Sequence, residues 1–221
     1  MSHGRLRGLY LVTPELPTTE LVRRLEMALE GGKGRVALVQ YRNKHLPRAQ
    51  AREQIRAMAP LCRAAGVPVL INDDVELALE TGAAGVHVGA DDPSLETARR
   101  RLGPEAIVGV SCYDRLDLAR AAAAGGADYV AFGSFFPSPT KPGAVRASID
   151  LLRRARRELD LPIAAIGGIT AARAGELVTA GADLLAVISD VFAAPDPRRA
   201  ATACARHFGR PTAPERASPL L

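Results

Sequence analysis

The chain has 221 residues, with 48% apolar and 4% aromatic side chains and a formal net charge of +5. That length suits one domain of α/β-barrel size or two small ones, and no apolar run approaches the ~20 residues that cross a bilayer, so no membrane span is expected. Three scattered cysteines (Cys62, Cys112 and Cys204) offer neither a disulfide framework nor metal-ligand spacing, and arginine runs such as Arg99-Arg100-Arg101 lack the interleaved aromatics that would argue for nucleic acid as a partner.

The N-terminal stretch Met1 to Arg7 leads into a strand-like run with no signal-peptide core, so a cytoplasmic location is expected. From there short apolar runs alternate with amphipathic ones. Strands are predicted at Leu9–Thr13, Val36–Tyr41, Val69–Ile71, Gly85–Val88, Ile107–Ser111, Tyr129–Phe132, Ile163–Ile166 and Leu184–Ile188. Between them lie helical spacings such as Leu21, Leu25, Ala28 and Leu29, and Ile149, Leu152, Ala155 and Leu159 behind a Ser148 N-cap. Strands with little polar alternation indicate a parallel sheet covered on both faces. Partial repeats, Gly126-Ala127-Asp128 and Gly181-Ala182-Asp183 among them, read as a helix-ending glycine and a tight entry into the next strand. Eight such units predict an α/β fold, a single-domain (β/α)8 TIM barrel over residues 1–209, with a disordered tail at 210–221. A doubly wound open sheet is the alternative, but Leu11-Val12-Thr13-Pro14 is not the glycine-rich turn it would show after its first strand.

In such a barrel the chemistry sits where the strands end. Strand 2 ends in Gln40-Tyr41-Arg42-Asn43-Lys44, and alternation puts Gln40, Arg42 and Lys44 on one side; two cations there suit an anion, against the alternative of an arginine stacked on a neighbour. Strands 3 and 4 end in Asn72-Asp73-Asp74 and Asp91-Asp92-Pro93. Carboxylates at adjacent strand ends suit a hard divalent ion such as Mg²⁺, while helix capping can claim Asp74 or Asp91. Ser111 after strand 5 can donate to a phosphate or cap the next helix, and His87 reads as a core histidine with a satisfied ring. Cys112 has no activating partner and reads as packing. After strand 6 the run Phe132 to Ala144 carries three prolines and Lys141, one of only three lysines (Lys33, Lys44, Lys141). It reads as a shaped loop presenting a point charge to a phosphate, or as a surface loop with a solvated charge. Gly167-Gly168 after strand 7 and Ser189 after strand 8 occupy the positions where barrels bind a monophosphate through backbone N–H groups.

Gln-x-Arg-x-Lys, Asn72-Asp73-Asp74, Gly-Val-His-x-Gly before Asp92, Pro-x-Pro-Thr-Lys-Pro-Gly, Ile166-Gly167-Gly168-Ile169 and Ser189, in this order from Leu9 to about Phe192, resemble the thiamine phosphate synthase family. The resemblance implies a transferase joining an aminopyrimidine that bears a diphosphooxymethyl group to a thiazole phosphate, with loss of pyrophosphate. It implies that Gln40, Tyr41, Arg42, Asn43, Lys44, Asn72, Ser111 and Lys141 hold the pyrimidine diphosphate. Ser138, Pro139, Thr140, Gly168, Ile188 and Ser189 would hold the thiazole phosphate, and Asp73 and Asp92 would bind one Mg²⁺ per subunit. Arg42, Lys44, Lys141 and Ser111 form the implied catalytic set. The expected partners are these two small molecules, and a homo-oligomer is compatible with the sequence. Ala90, Ser138 and Ala172-Arg173 depart from the family's common residues. The thiazole tautomerases, a sister group on the same barrel, tend to lack the aspartates and the Thr-Lys loop.

Overall fold

The computed structural model describes residues 6–89, 94–137, 143 and 145–209. The apolar runs pair in sequence order, each parallel to the next, and close on themselves: β1 (Gly8–Val12), β2 (Val36–Tyr41), β3 (Val69–Asn72), β4 (Gly85–Val88), β5 (Ile107–Tyr113), β6 (Tyr129–Phe132), β7 (Ile163–Ile166) and β8 (Leu184–Val187). Closure comes from β1 against β8, with Leu9 opposite Leu185 and Leu11 opposite Val187. The connecting helices are α1 (Thr18–Gly31), α2 (Arg48–Ala64), α3 (Val75–Thr81), α4 (Leu95–Leu102), α5 (Leu116–Ala124), α6 (Ile149–Glu158) and α7 (Ala171–Ala180). This is the (β/α)8 barrel expected from the alternation.

The outer layer departs from simple alternation after β8. There α8 (Ser189–Phe192) is a single short turn, and α9 (Pro197–Ala205) lies against α1 instead. A break containing Pro195 separates the two, and the Thr202 hydroxyl of α9 donates to the Gly31 carbonyl at 2.9 Å. Strand ends also shift by a residue or two. β5 runs on to Tyr113 through a register shift between Ser111 and Tyr113, and Tyr113 takes a positive φ of 52°.

Alternation along each strand divides the core in two. Leu9, Leu11, Val39, Tyr41 and Val108 face the helices, while Tyr10, Val12, Leu38, Leu70, Tyr129 and Leu184 fill the barrel interior. Small residues share that interior with large ones. A Cβ on Gly109 would lie 2.0 Å from the Tyr129 ring, so the absence of a side chain in β5 makes room for the aromatic of β6.

The two repeated aspartates close the amino-terminal face. Asp128 accepts from the Val108 N–H at 2.7 Å and pairs with Arg99 at 2.7 Å. Asp183, 2% exposed, accepts from Ile163 N–H at 3.1 Å and pairs with Arg156 at 2.8 Å. Each ties the start of one strand to the strand before it and to an arginine of the helix leading into that strand.

Candidate active site

The carboxyl ends of the strands surround a cavity of ≈ 970 Å³. One side is lined by Gln40, Arg42, Asn72, His87, Ser111 and Tyr113, the other by Gly167, Gly168, Thr170, Arg173, Ile188, Ser189 and Asp190. That volume lies at the upper end for small-molecule sites and can seat two heterocycles side by side.

A chain of hydrogen bonds crosses the floor of the cavity. Asn72 donates from its amide nitrogen to Asp73 at 2.5 Å, and its oxygen accepts from Gln40 Nε2 at 2.6 Å. Gln40 Oε1 accepts from the Tyr10 hydroxyl at 2.6 Å, and Tyr10 and Tyr129 share a hydrogen bond of 2.7 Å. Tyr129 in turn meets His87 Nδ1 at 2.9 Å, and His87 Nε2 meets the Ser111 hydroxyl at 2.8 Å. The chemistry of the end group fixes the direction of these bonds. A carboxylate only accepts, so each amide must turn its nitrogen toward Asp73, and Tyr10 must give its single hydrogen to Gln40. Tyr129 therefore donates to Tyr10 and accepts from His87 Nδ1, while His87 Nε2 engages the Ser111 hydroxyl. Burial pushes the Tyr10 and Tyr129 phenols well above their ordinary values, so both remain protonated and able to donate. His87 is thus a core histidine with both ring nitrogens engaged. The Ser111 hydroxyl is bonded to His87 and lies within β5, while α5 begins behind Arg115, so Ser111 is not a helix cap.

The run from Gln40 to Lys44 does not act as a block. Gln40 and Arg42 face the cavity, but alternation turns Tyr41 into the helix layer, 2% exposed, where its hydroxyl donates to Gln54 at 2.9 Å. The Asn43 side-chain oxygen accepts from the His45 and Leu46 N–H groups, both at 3.1 Å, and so shapes the turn that leaves the strand. The side chains of Tyr41 and Asn43 thus serve packing and turn formation, for the physical reasons of strand alternation and local hydrogen bonding. Arg42 is held by Thr13, whose hydroxyl accepts from the Arg42 N–H at 2.9 Å, and its guanidinium lies 4.0 Å from Glu15.

Lys44 reaches Asp73 at 3.8 Å. Asp73 sits in the left-handed region at φ 64°, which aspartate tolerates better than most residues, and its N–H bonds the His87 carbonyl at 2.9 Å. Its neighbour Asp74 is the helix cap, accepting from Leu77 N–H at 2.8 Å. Among the described residues no three His, Cys, Asp or Glu side chains converge to cage a metal. The Asp73 carboxylate, beside the cavity-lining Asn72, fits Mg²⁺, which takes one or two carboxylates and completes its shell with water and substrate phosphate.

On the opposite side, Gly167 (φ 101°) and Gly168 (φ 60°) permit a close approach by protein backbone. A Cβ on Gly168 would lie 2.2 Å from the Pro137 carbonyl, and one on Gly167 2.1 Å from the Ser134 hydroxyl. The segment after β6 is fastened there by Phe135 N–H to Ile166 (3.1 Å) and Phe136 N–H to Gly167 (3.0 Å), and its return by Ala147 N–H to Ser134 (3.0 Å). The loop read from sequence thus has both its feet on the cavity rim. Asp92, Ser138, Pro139, Thr140 and Lys141, with Ala90, Asp91 and the tail at 210–221, lie outside the described residues.

Tyr10, Tyr129, Thr13, Glu15 and Arg173 complete the site and were not among the expected residues. Tyr10 and Tyr129 sit in strands that read as uniformly apolar, and the one available signal was that a hydroxyl buried there needs a partner. Cys112 is fully buried, which pushes its thiol up to about 12, so it offers no thiolate to the cavity.

The chain is similar to several known proteins along nearly its whole length. A family profile described as thiamine monophosphate synthase matches residues 9–191. The thiamine-phosphate synthase of Aromatoleum aromaticum is 56% identical over 204 residues, covering 92% of this chain and 97% of the relative. That of Thiobacillus denitrificans is 57% identical over 202 residues, covering 91% and 94%. The solved thiamine phosphate pyrophosphorylase from Pyrococcus furiosus superposes with a TM-score of 0.80 at 31% identity, over 92% of this chain and 96% of that one.

Proposed function

The chain belongs to the thiamine monophosphate synthase family, and we propose that it joins an aminopyrimidine diphosphate to a thiazole phosphate, forming thiamine phosphate and pyrophosphate. The observation that carries this reading is one cavity with two unlike ends. Arg42, with Lys44 nearby, marks the β2–β3 side, and the glycine turn with Ser189 marks the β7–β8 side.

Gln40 is oriented by Tyr10 and Asn72 and keeps one N–H and one lone pair. That donor–acceptor edge matches the amino group and ring nitrogen of an aminopyrimidine. Arg42, Lys44 and Lys141 neutralise the diphosphate as the carbon–oxygen bond breaks and its electron pair leaves with pyrophosphate. Asp73, together with Asp92, would hold Mg²⁺, which when bound supplies further charge neutralisation at the leaving group. The electron-rich pyrimidine stabilises the cation left on its methylene carbon, and the thiazole nitrogen donates its lone pair to that carbon. Gly168, Ile188 and Ser189, with Ser138, Pro139 and Thr140 of the loop, hold the thiazole phosphate so that the nitrogen faces the carbon. Ser111, bonded to His87, offers lone pairs toward the cavity. No step calls on a protein nucleophile, in keeping with the buried Cys112 thiol.

A cytoplasmic location belongs to the same reading. It is supported by Cys62, Cys112 and Cys204 all remaining free thiols. Among the described residues no helix is long and apolar enough to cross a membrane.

Two substitutions test the site. Asp73→Asn and Lys141→Ala should each lower kcat/KM by roughly 10²- to 10³-fold, about 2.7–4 kcal/mol of transition-state stabilisation, with an unchanged circular dichroism spectrum. Near-normal turnover in either variant would remove that residue from the mechanism.

A further inference from the structure

We propose that Arg173 is the cation that recognises the monophosphate of the thiazole substrate, an inference that rests on placing that substrate at the β7–β8 side of the cavity. Among the described residues lining the cavity, Arg42 stands on the β2 side and Arg173 on the other. Arg173 rises from the first turn of α7, and its guanidinium carbon lies 4.7 Å from the centroid of the Phe136 ring. Stacking of this kind fixes the plane of the group while leaving its N–H edge available, the arrangement that suits bidentate contact with a phosphate. Phe136 in turn adjoins the glycine turn, its carbonyl 2.8 Å from where a Gly168 Cβ would stand. The guanidinium is therefore anchored on a residue packed against Gly168. Among the described residues no carboxylate comes within ion-pair distance of Arg173.

Asp190 takes one hydrogen-bond donor away from this side. Asp190 is among the residues lining the cavity, and its carboxylate accepts from the Ala171 N–H at 3.0 Å and from the buried Cys204 thiol of α9 at 3.4 Å, with no cationic partner among the described residues. A phosphate dianion entering beside Gly168 finds the Ala171 N–H already taken. Backbone N–H groups and the Ser189 hydroxyl supply hydrogen bonds but no formal charge, and Arg173 supplies the charge.

The experiment titrates thiazole phosphate into the purified full-length chain without pyrimidine, for wild type, Arg173→Met and Arg173→Lys, alongside steady-state kinetics with both substrates. Methionine keeps an apolar stem on Phe136 and removes the charge. Arg173→Met is expected to weaken thiazole phosphate about tenfold and raise its KM to match, leaving KM for the pyrimidine diphosphate within about twofold. Arg173→Lys should recover part of the loss, and the wild-type advantage should shrink with added salt. Equal affinity in Arg173→Met and wild type overturns the proposal, as does a loss that lysine does not relieve. If wild type does not bind thiazole phosphate at all, the substrate assignment falls and Arg173's role falls with it.

Discussion

At Tyr129 three demands meet. The ring fills barrel space that Gly109 leaves open, while the hydroxyl accepts from His87 and donates to Tyr10. Tyr129→Phe cuts the hydrogen-bond chain at its middle and leaves the buried His87 Nδ1 without its acceptor. The expected cost is about 1–2 kcal/mol of stability, read by denaturant unfolding, with a roughly tenfold fall in kcat as Ser111 and Gln40 lose their fixed orientation. Unchanged kcat would show that the chain serves packing alone. Gly109→Ala should destabilise by about 1–3 kcal/mol, because the added methyl meets the Tyr129 ring inside a closed barrel. The capping Asp74 was readable from sequence because its bond to Leu77 is local, and His87 read as a core histidine from its place inside an apolar strand, although its partners Tyr129 and Ser111 are distant. Tyr10 and Tyr129 were not readable, because their partnership spans 119 residues and arises only when the barrel closes.

At the scale of elements, the strand cores were legible because a parallel sheet covered on both faces leaves nearly continuous apolar runs. Strand ends and α9 were harder to read, since they depend on how the outer helices fit around β1 and β8. The arginine runs divide in a way that composition does not reveal: most members face solvent, but Arg99 and Arg156 bind Asp128 and Asp183 under the barrel. Asp183→Asn weakens the clamp on Arg156 and Ile163 far from the cavity. It should cost about 3 kcal/mol of stability while turnover per folded molecule stays at the wild-type value. Comparable loss of turnover at full folding would mean that the lower face communicates with the site.

The contact of α1 with the end of the barrel is expected to depend on pH through Glu20. Hydrogen bonds from Arg23 and then Arg24 hold the Glu20 carboxyl down to about 2, and Arg24 also donates to the carbonyls of Phe192 and Ala194, both at 2.9 Å. A folded-state value below the unfolded one means that the stabilisation is present above pH ~4.5 and is lost as pH falls toward ~2. Wild type should therefore melt above Glu20→Gln near neutrality, and the two should converge near pH 2, with added salt narrowing the gap. A gap independent of pH would show that the ion pair contributes nothing to folding.

Over the whole molecule the two ends of the barrel divide the labour. Aspartate–arginine clamps close the amino-terminal face, while the carboxyl-terminal face carries the cavity, Lys44, Asp73 and the rooted loop after β6. The architecture, and the gathering of residues from the ends of β2, β3, β5, β7 and β8 around one cavity, could be read from the sequence because strand-end residues in a barrel share one face. The division of the β2 run into Gln40 and Arg42 toward the cavity and Tyr41 away from it required the strand's orientation to be seen. The most direct test of the central claim follows phosphorus by NMR while the purified chain is given both phosphorylated heterocycles and Mg²⁺. The account predicts that thiamine phosphate and pyrophosphate appear in equal amounts and that omitting either heterocycle prevents both. Tautomerisation of the thiazole with no release of pyrophosphate would contradict it.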